Sequence, residues 1–328
     1  MKRVVGFGEI MLRLSPPGSE RFFQSPQLRT WFGGSEANVV VSLAHLGVPS
    51  EYVTRVPDNP VGEAALSTLR AEGVDVRNVV RGGDRLGIYF VESGADLRAM
   101  RVVYDRAGSA FSRLAADEIS WDEVLKGAGW LHLSGITPAL GEGPAASART
   151  AAETARRLGA TVSLDLNYRP ALWRDRDPTP LIRPLATCAD VLIGNAGAIE
   201  AMLGVPCDPA GDLASQQRLA DRLRKELGCP RVVLTRRDVV SSSEHGWSAR
   251  LFGEETSHES RSYRVRVVDR VGGGDSFAAA LIYALVSGRS ADAALEFATA
   301  ASALKLTIPG DFNRVTVDEV DRLLRTNQ

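Results

Sequence analysis

The sequence predicts an α/β fold, in which helices cover both faces of a doubly wound, mostly parallel sheet and a small β-sheet forms a lid. Short β-branched runs alternate with longer segments of helical period, the pattern of strand–helix–strand units. Two regions, 11–33 and 85–107, interrupt this alternation and have the pattern of strands paired around turn residues. The chain of 328 residues also exceeds the usual size of a single core, which favours one large domain with a smaller element.

Strands and helices can be assigned in order from the amino terminus. The apolar run 4–8 is typical of a buried strand. Over 35–46, valines and leucines recur at helical spacing, and Gly47 follows as a common helix end. A second helix is expected over 61–72. The later strand candidates, each followed by a helix-compatible stretch, are 130–134, 161–165, 190–194 and 231–235.

This order of elements predicts where a ligand binds. Parallel strands with helical crossovers place ligands at their carboxyl ends, where the connecting loops converge. These loops follow Ser134, Asp165, Gly194 and Thr235. A lid formed by 11–33 and 85–107 would cover the strand ends and exclude water. Residues 1–10, 34–84 and 108–328 are accordingly assigned to a main domain that binds nucleotide and substrate.

Composition and charge exclude several classes of function. Hydrophobic residues make up 44% and charged residues 24%, as in ordinary globular proteins. The 39 Lys and Arg residues nearly balance 40 Asp and Glu residues, so no overall field attracts nucleic acid or an anionic membrane. The sequence has neither an apolar run of about 18 residues nor a signal-type cleavage pattern. We expect a cytoplasmic protein that acts on small molecules.

Cysteine and histidine chemistry is not predicted. The cysteines, Cys188, Cys207 and Cys229, are odd in number and lack C-x-x-C spacing. The histidines are scattered at 45, 132, 245 and 258, and no pair has the helical spacing that brings two imidazoles together. The sequence therefore indicates neither a disulfide framework, nor a zinc site, nor a Ser-His-Asp triad.

The most informative segment is a glycine-rich turn between a strand and an apolar helix, over 265–285. Gly272, Gly273 and Gly274 allow the backbone to approach a ligand, and their N–H groups with the helix start form an anion hole for phosphate oxygens. Asp275 in the first turn is then positioned as a general base, a contribution of roughly 10²–10⁴ in rate. We expect this carboxylate to stay ionised; an acid here can also serve only as a partner of the helix dipole.

This turn resembles the second signature of the ribokinase-like (PfkB) carbohydrate kinases, D-T-x-G-A-G-D, and the likeness covers nearly the whole chain. Here the segment 269–275 reads DRVGGGD, with Val271 and Gly273 departing from the commoner form. The resemblance implies a ribokinase-like fold and phosphorylation of a sugar by ATP with Mg²⁺. It also implies that Asp269 helps to hold a monovalent cation such as K⁺, although an Asp before a turn is often only a local hydrogen-bond acceptor.

A first family signature, two glycines followed by Asn before a helix, is similar to residues 33–38. It implies that Gly34 and Asn38 contact the sugar, the glycine through its backbone and the Asn through an amide that donates and accepts. Relatives also carry an Asn-x-x-Glu motif that organises Mg²⁺ water. In this chain Glu200 follows Asn195 two residues late, which turns it by about 200° around a helix of 3.6 residues per turn.

Within the family, four segments resemble 2-keto-3-deoxygluconate kinases: 8–17, 103–110, 163–173 and 308–313. That likeness implies transfer to the C6 hydroxyl of an acidic keto-sugar. A substrate carboxylate favours a cationic clamp, for which Arg106 and Arg169 are candidates, although either can also be an ordinary surface or ion-pair arginine. Tyr89 and Tyr104 are substrate candidates on the lid, or lid core with a polar tip.

The nucleotide-binding candidates implied by the resemblance are Asp165, Asn167, Asn195, Thr235, Arg237, Gly272, Gly274 and Ala301. Asp165 and Asn167 can alternatively form a strand-end turn that caps itself. Two other activities stay open: a fructokinase or 5-dehydro-2-deoxygluconate kinase, and a catalytically silent sugar or nucleotide sensor. Apolar lid residues, Phe22, Phe23, Trp31 and Phe32, predict a homo-oligomer.

Overall fold

The computed structural model describes residues 1–174, 176–208, 211–253 and 256–326. Its strands are β1 (Arg3–Phe7), β2 (Met11–Ser15), β3 (Arg29–Gly33), β4 (Ser50–Val53), β5 (Arg55–Val56), β6 (Val80–Arg81), β7 (Gly87–Glu92), β8 (Arg101–Asp105), β9 (Ala128–Ser134), β10 (Thr161–Asp165), β11 (Val191–Gly194), β12 (Arg231–Ser241), β13 (Glu244–Phe252), β14 (Ser257–Glu259) and β15 (Tyr263–Arg266). Its helices are α1 (Ser35–His45), α2 (Pro60–Ala71), α3 (Trp121–Leu125), α4 (Glu142–Arg157), α5 (Pro170–Trp173), α6 (Thr179–Ala186), α7 (Ala196–Leu203), α8 (Leu213–Leu227), α9 (Gly273–Val286), α10 (Ala291–Lys305) and α11 (Val317–Thr326).

The large sheet has the strand order β14-β13-β12-β11-β10-β9-β1-β4, with β15 paired to β13. Strands β4, β1, β9, β10, β11 and β12 pair in parallel, and their residues are mostly buried because helices cover both faces. One core cluster packs α3, α4, α6, α7 and α8 against the sheet, and another packs α1, α9, α10 and α11. The predicted doubly wound, mostly parallel sheet is confirmed.

One expected connection is wrong. The strand predicted over 231–235 is followed by no helix; β12 continues to Ser241 and returns as the antiparallel strand β13. The reason is visible in β13, where partly buried and buried residues alternate with a period of two, as in a strand with one more buried face. Thr235 therefore lies within a strand and not in a loop after it.

A smaller sheet, here called the lid sheet, has the order β3-β2-β7-β8 and is built from the two regions that interrupt the alternation. Arg13 on β2 joins it to the rest of the molecule, since its guanidinium lies 2.8 Å from carboxylate oxygens of both Asp269 and Asp311. All three side chains are buried. The division of the chain into two domains stays a prediction.

Helix α9 is the central helix of the fold. It is apolar on all sides, and its residues from Asp275 to Ala284 are buried between the sheet, α1 and α10. This packing fixes the direction in which its amino terminus points. Within the described ranges, none of the helices is long and apolar enough to cross a bilayer.

Candidate active site

A cavity of about 920 Å³ lies between the carboxyl ends of the parallel strands and the lid sheet. Its wall includes Ile136, Asp165 and Asn195 at or just after the ends of β9, β10 and β11, Thr235 within β12, and Met11, Tyr89, Val91, Val102 and Tyr104 from the lid sheet. Three of the four predicted strand ends therefore converge on this cavity, and the fourth predicted position contributes Thr235 from inside a longer strand. The cavity is large enough for two small molecules to lie side by side.

The glycine-rich turn forms part of the cavity wall. Gly272 precedes α9 with φ of 81°, a left-handed conformation that favours glycine, and a Cβ there would lie 2.2 Å from the carbonyl oxygen of Asp311. At Gly274 a Cβ would meet no atom within 4 Å, so the backbone is open to a ligand. Gly273 also lines the cavity. The turn presents backbone N–H groups and a helix start to whatever binds.

Asp275 is held in a fixed orientation beside this turn. The Asn38 amide donates to its Oδ2 at 2.7 Å, and the Ser35 hydroxyl donates to its Oδ1 at 3.1 Å. Asn167 donates in turn to the Ser35 oxygen at 2.7 Å. Burial raises the pKa of Asp275, and the hydrogen bond from Asn38 and the charge of Arg169 oppose this rise. The pKa thus moves against the expected direction, which makes the carboxylate a stronger base.

Two further acids lie near Asp275. Glu36 is fully buried, and its Oε1 accepts hydrogen bonds from the Ser134 backbone at 3.1 Å and hydroxyl at 2.6 Å. Burial raises the pKa of Glu36 to about 7 and that of Asp165 also to about 7, and the charge of Asp275 adds to both shifts. Sequence reasoning missed Glu36, although it lies between the two glycines and the Asn of the first signature.

Arg106, predicted as a clamp for a substrate carboxylate or as an ordinary surface or ion-pair arginine, is held in an ion pair with Glu9. Its Nε donates to Glu9 Oε2 at 2.7 Å, its Nη2 bonds the same oxygen, and Ser109 also donates to Glu9. The side chain still lines the cavity and lies over the Tyr104 ring. Because a carboxylate already balances its charge, Arg106 presents less positive charge to a ligand than the sequence predicted.

Three other arginines, Arg169, Arg237 and Arg270, line the cavity and make no ion pair with any described residue. Burial lowers the pKa of Arg237 and of Arg270, and the charge of Arg237 lowers the pKa of Arg270 further. The charge of Arg169 contributes to both shifts. A group of guanidinium groups without ion-pair partners among the described residues suits a polyanion. Arg270 was missed in the sequence, although it follows Asp269 in the second signature.

The lid residues Tyr89 and Tyr104 stack with ring centroids 6.0 Å apart. The Tyr89 hydroxyl donates to Asp311, which also accepts from Arg13. Burial raises the pKa of Asp311 to about 6, against the effect of Arg13. Gly34 also lines the cavity, as predicted for a substrate residue.

Two predicted residues do not reach the cavity wall. Ala301 is fully buried on α10, where its carbonyl accepts from Ser276 of α9 at 3.4 Å, and it does not line the cavity. Glu200 is exposed on α7, outside the cavity wall, as its shifted helical phase indicates. Asn195 does line the cavity, but its side chain also caps α7 by accepting from the Ala198 N–H at 3.0 Å.

The predicted cation site at Asp269 does not fit the structure. The carboxylate accepts from Arg13, from the Gly310 N–H at 3.1 Å and from the Val271 N–H at 3.0 Å. The nearby carbonyl oxygens of Ile308 and Gly310 accept from the Lys305 ammonium. Elsewhere in the described residues, no group of three or more His, Cys, Asp or Glu side chains is arranged to hold a metal ion.

Comparisons with known proteins agree with this geometry. The family model of the pfkB family carbohydrate kinases matches residues 1–315. A 2-dehydro-3-deoxygalactonokinase of Haloferax volcanii is 35% identical over 324 residues, 98% of this chain and 96% of that protein. A 5-dehydro-2-deoxygluconokinase of Clostridium tetani is 27% identical over 308 residues, 92% of this chain and 86% of that protein. The crystal structure of a 2-dehydro-3-deoxygluconokinase from Thermotoga maritima matches with a TM-score of 0.96 at 42% identity, and the match covers 99% of this chain and 100% of that one.

Proposed function

The chain belongs to the pfkB family of carbohydrate kinases, and on that basis we propose that it phosphorylates 2-keto-3-deoxygluconate at the C6 hydroxyl with MgATP. The single observation that carries this proposal is Asp275, a buried base beside the glycine turn, in a cavity that also contains arginines without ion-pair partners among the described residues. The products would be 2-keto-3-deoxy-6-phosphogluconate and ADP.

In the proposed reaction, Asp275 accepts the proton of the C6 hydroxyl as that oxygen attacks the γ-phosphorus. A bond forms between the sugar oxygen and phosphorus, and the bond between the γ-phosphorus and the β,γ-bridging oxygen breaks to release ADP. The N–H groups of the turn from Gly272 to Gly274 stabilise charge on the transferred phosphoryl group. Mg²⁺ enters with ATP and neutralises charge on the phosphates.

The two substrates are assigned to different arginines. Arg237 and Arg270 would bind the polyphosphate, and Asp165, Asn167, Asn195 and Thr235, which also line the cavity, would contact the nucleotide. Arg169 would bind the sugar carboxylate, because it lines the cavity and its charge acts on Asp275 as well as on Arg237 and Arg270. Gly34, Asn38, Tyr89 and Tyr104 would surround the sugar.

The proposal is tested by coupled ADP release with MgATP and a panel of sugars: 2-keto-3-deoxygluconate, its galactonate epimer, 5-dehydro-2-deoxygluconate, fructose and ribose. We expect the first sugar to give the highest kcat/KM, and Asp275→Asn to lower kcat by roughly 10²–10⁴. Asp292→Asn is the matched control, since Asp292 is an exposed acid in the first turn of α10.

One observation favours the alternative of a neutral ketose such as fructose. Glu9 already balances the charge of Arg106, so one of the two predicted clamp cations is committed within the protein. A higher kcat/KM for fructose than for the sugar acids would establish this alternative. Binding of ATP and sugar without ADP release would instead identify a silent sensor.

We also propose self-association through the lid sheet. Phe23 is 73% exposed and Val103 is 52% exposed, whereas Phe22, Trp31 and Phe32 are partly buried. Val103 lies on β8 and Phe23 lies in the connection between β2 and β3, and exposed apolar side chains at these positions favour contact with a second copy. Light scattering tests this, and a single monomer peak at working concentration would contradict it.

A further inference from the structure

Lys305, the last residue of α10, is fully buried. Its ammonium donates to the carbonyl oxygens of Ile308 at 3.1 Å and Gly310 at 3.0 Å. A buried lysine is rare in proteins because removing an ammonium group from water is costly unless other groups compensate for it. Here the compensation comes largely from backbone carbonyls of the loop that follows the helix.

The ammonium lies directly behind the catalytic turn. A Cβ added at Gly272 would lie 3.2 Å from Lys305 Cε, so the lysine stem packs against the turn, and Lys305 is not among the residues that line the cavity. Asp269 and Asp275 favour the charged form of the amine, and Arg13 opposes it. Burial lowers the pKa of Lys305 to about 8, so the group is still mainly protonated at pH 7.

This arrangement has the chemistry of a site for a monovalent cation. Backbone carbonyl oxygens that converge on a single charge are the ligands by which proteins replace the hydration shell of K⁺. An ammonium group is close to K⁺ in size and carries the same charge. While the lysine occupies these oxygens, a second cation beside it would be repelled at short range.

We propose that the Lys305 ammonium is a built-in substitute for a monovalent cation, which orders the 269–275 turn and makes catalysis independent of added K⁺. Lys305 is a positioning residue, since it does not line the cavity in which both substrates would bind. It ties the 308–311 loop to the back of the turn and adds a fixed positive charge behind the N–H groups that receive the phosphoryl group. The kinetic part of this proposal, that catalysis is independent of added K⁺, rests on the proposed function. The binding part, that the ammonium occupies the place of a monovalent cation, does not.

The binding part is tested by melting temperature, which needs no substrate. Native protein and Lys305→Met are compared in KCl, NH₄Cl and tetramethylammonium chloride at equal ionic strength. We expect the melting temperature of the native protein to be the same in all three salts. Lys305→Met should melt at a lower temperature than the native protein. K⁺ or NH₄⁺, but not tetramethylammonium, should raise this melting temperature again. Lys225→Met, which replaces an exposed lysine in the last turn of α8, is the matched control and should respond as the native protein does.

The kinetic part is tested by ADP release in the same salts. The native rate should change less than about twofold on adding K⁺, whereas Lys305→Met should lose roughly 10²-fold without K⁺ and regain part of this with K⁺ or NH₄⁺. A native enzyme that requires K⁺ would overturn the proposal even if the variant fails to fold. A folded Lys305→Met whose melting temperature and rate ignore K⁺ and NH₄⁺ would also overturn it, because a purely structural lysine gives no selective rescue.

Discussion

The amide of Asn38 donates to the Oδ2 atom of Asp275 at 2.7 Å, so a residue predicted to contact the sugar also orients the proposed base. The donor stabilises the ionised carboxylate and lowers its pKa against the effect of burial. Asn38 keeps its place in the cavity wall and can still face a sugar. A buried hydrogen bond between α1 and α9 therefore orients the carboxylate of the proposed base.

We predict that Asn38→Ala shifts the acidic limb of the kcat/KM profile to higher pH. Without the amide donor, the pKa of Asp275 rises further, and the ionised base is present only at higher pH. The rate at pH 7 should fall roughly tenfold or more. Asn78→Ala is the control, because Asn78 donates to Glu51 outside the cavity. An unchanged profile in Asn38→Ala would contradict Asp275 as the base.

Arg270→Ala should raise the KM for MgATP by roughly 10- to 100-fold, the effect of losing a hydrogen bond to a charged group. The KM for the sugar should change little. Arg266→Ala replaces an exposed arginine on β15 outside the cavity and should leave both values unchanged. Steady-state kinetics with each substrate varied in turn separate these outcomes.

Arg169→Ala should have the complementary effect. If its guanidinium binds the sugar carboxylate, the KM for 2-keto-3-deoxygluconate should rise roughly 10- to 100-fold, while the KM for a neutral ketose stays nearly constant. An equal rise in KM for acidic and neutral sugars would show that Arg169 does not bind the carboxylate of the substrate. A rise confined to the KM for MgATP would instead assign Arg169 to phosphate binding, together with Arg270.

Glu36 gives a prediction for stability against pH. Because its folded pKa is about 7, above the ordinary value, the folded state binds more protons than the unfolded state between about pH 4 and 7. This group therefore lowers stability as pH rises through that window. Glu36→Gln removes the effect, so its stability relative to the native protein should be greater at pH 8 than at pH 5. Urea unfolding at both pH values tests this, with exposed Glu123→Gln as control.

Arg13→Met should destabilise the fold by about 3–5 kcal/mol, because it leaves the buried carboxylates of Asp269 and Asp311 without their cation. The free energy of unfolding from denaturant titration measures this. Arg101→Met, an exposed arginine on β8, should change it by less than about 0.5 kcal/mol. A small loss of unfolding free energy in Arg13→Met would mean that the carboxyls of Asp269 and Asp311 become protonated or hydrated at little cost.

Local pattern was sufficient for most of the elements. The helix predicted over 35–46 is α1 at Ser35–His45, and the strand predicted over 161–165 is β10. Periodicity along the chain reports which face of a segment is buried, and that is enough to identify strands and helices. The hairpin of β12 and β13 was missed because the expectation of a helix after every strand outweighed the alternation in 244–252.

The sequence by itself determined the α/β fold class, the lid strands and the glycine turn before Asp275, because each depends on residues that are neighbours in the chain. Only the tertiary structure decided which charges remain available to a ligand. Arg106 is balanced by Glu9, 97 residues away, and Arg13 meets Asp311, 298 residues away. Arg270 has no ion-pair partner among the described residues, and Lys305 occupies the carbonyls that a cation would need. The charge and pKa of a side chain depend on burial and on partners brought together by folding, and neither is encoded in local spacing.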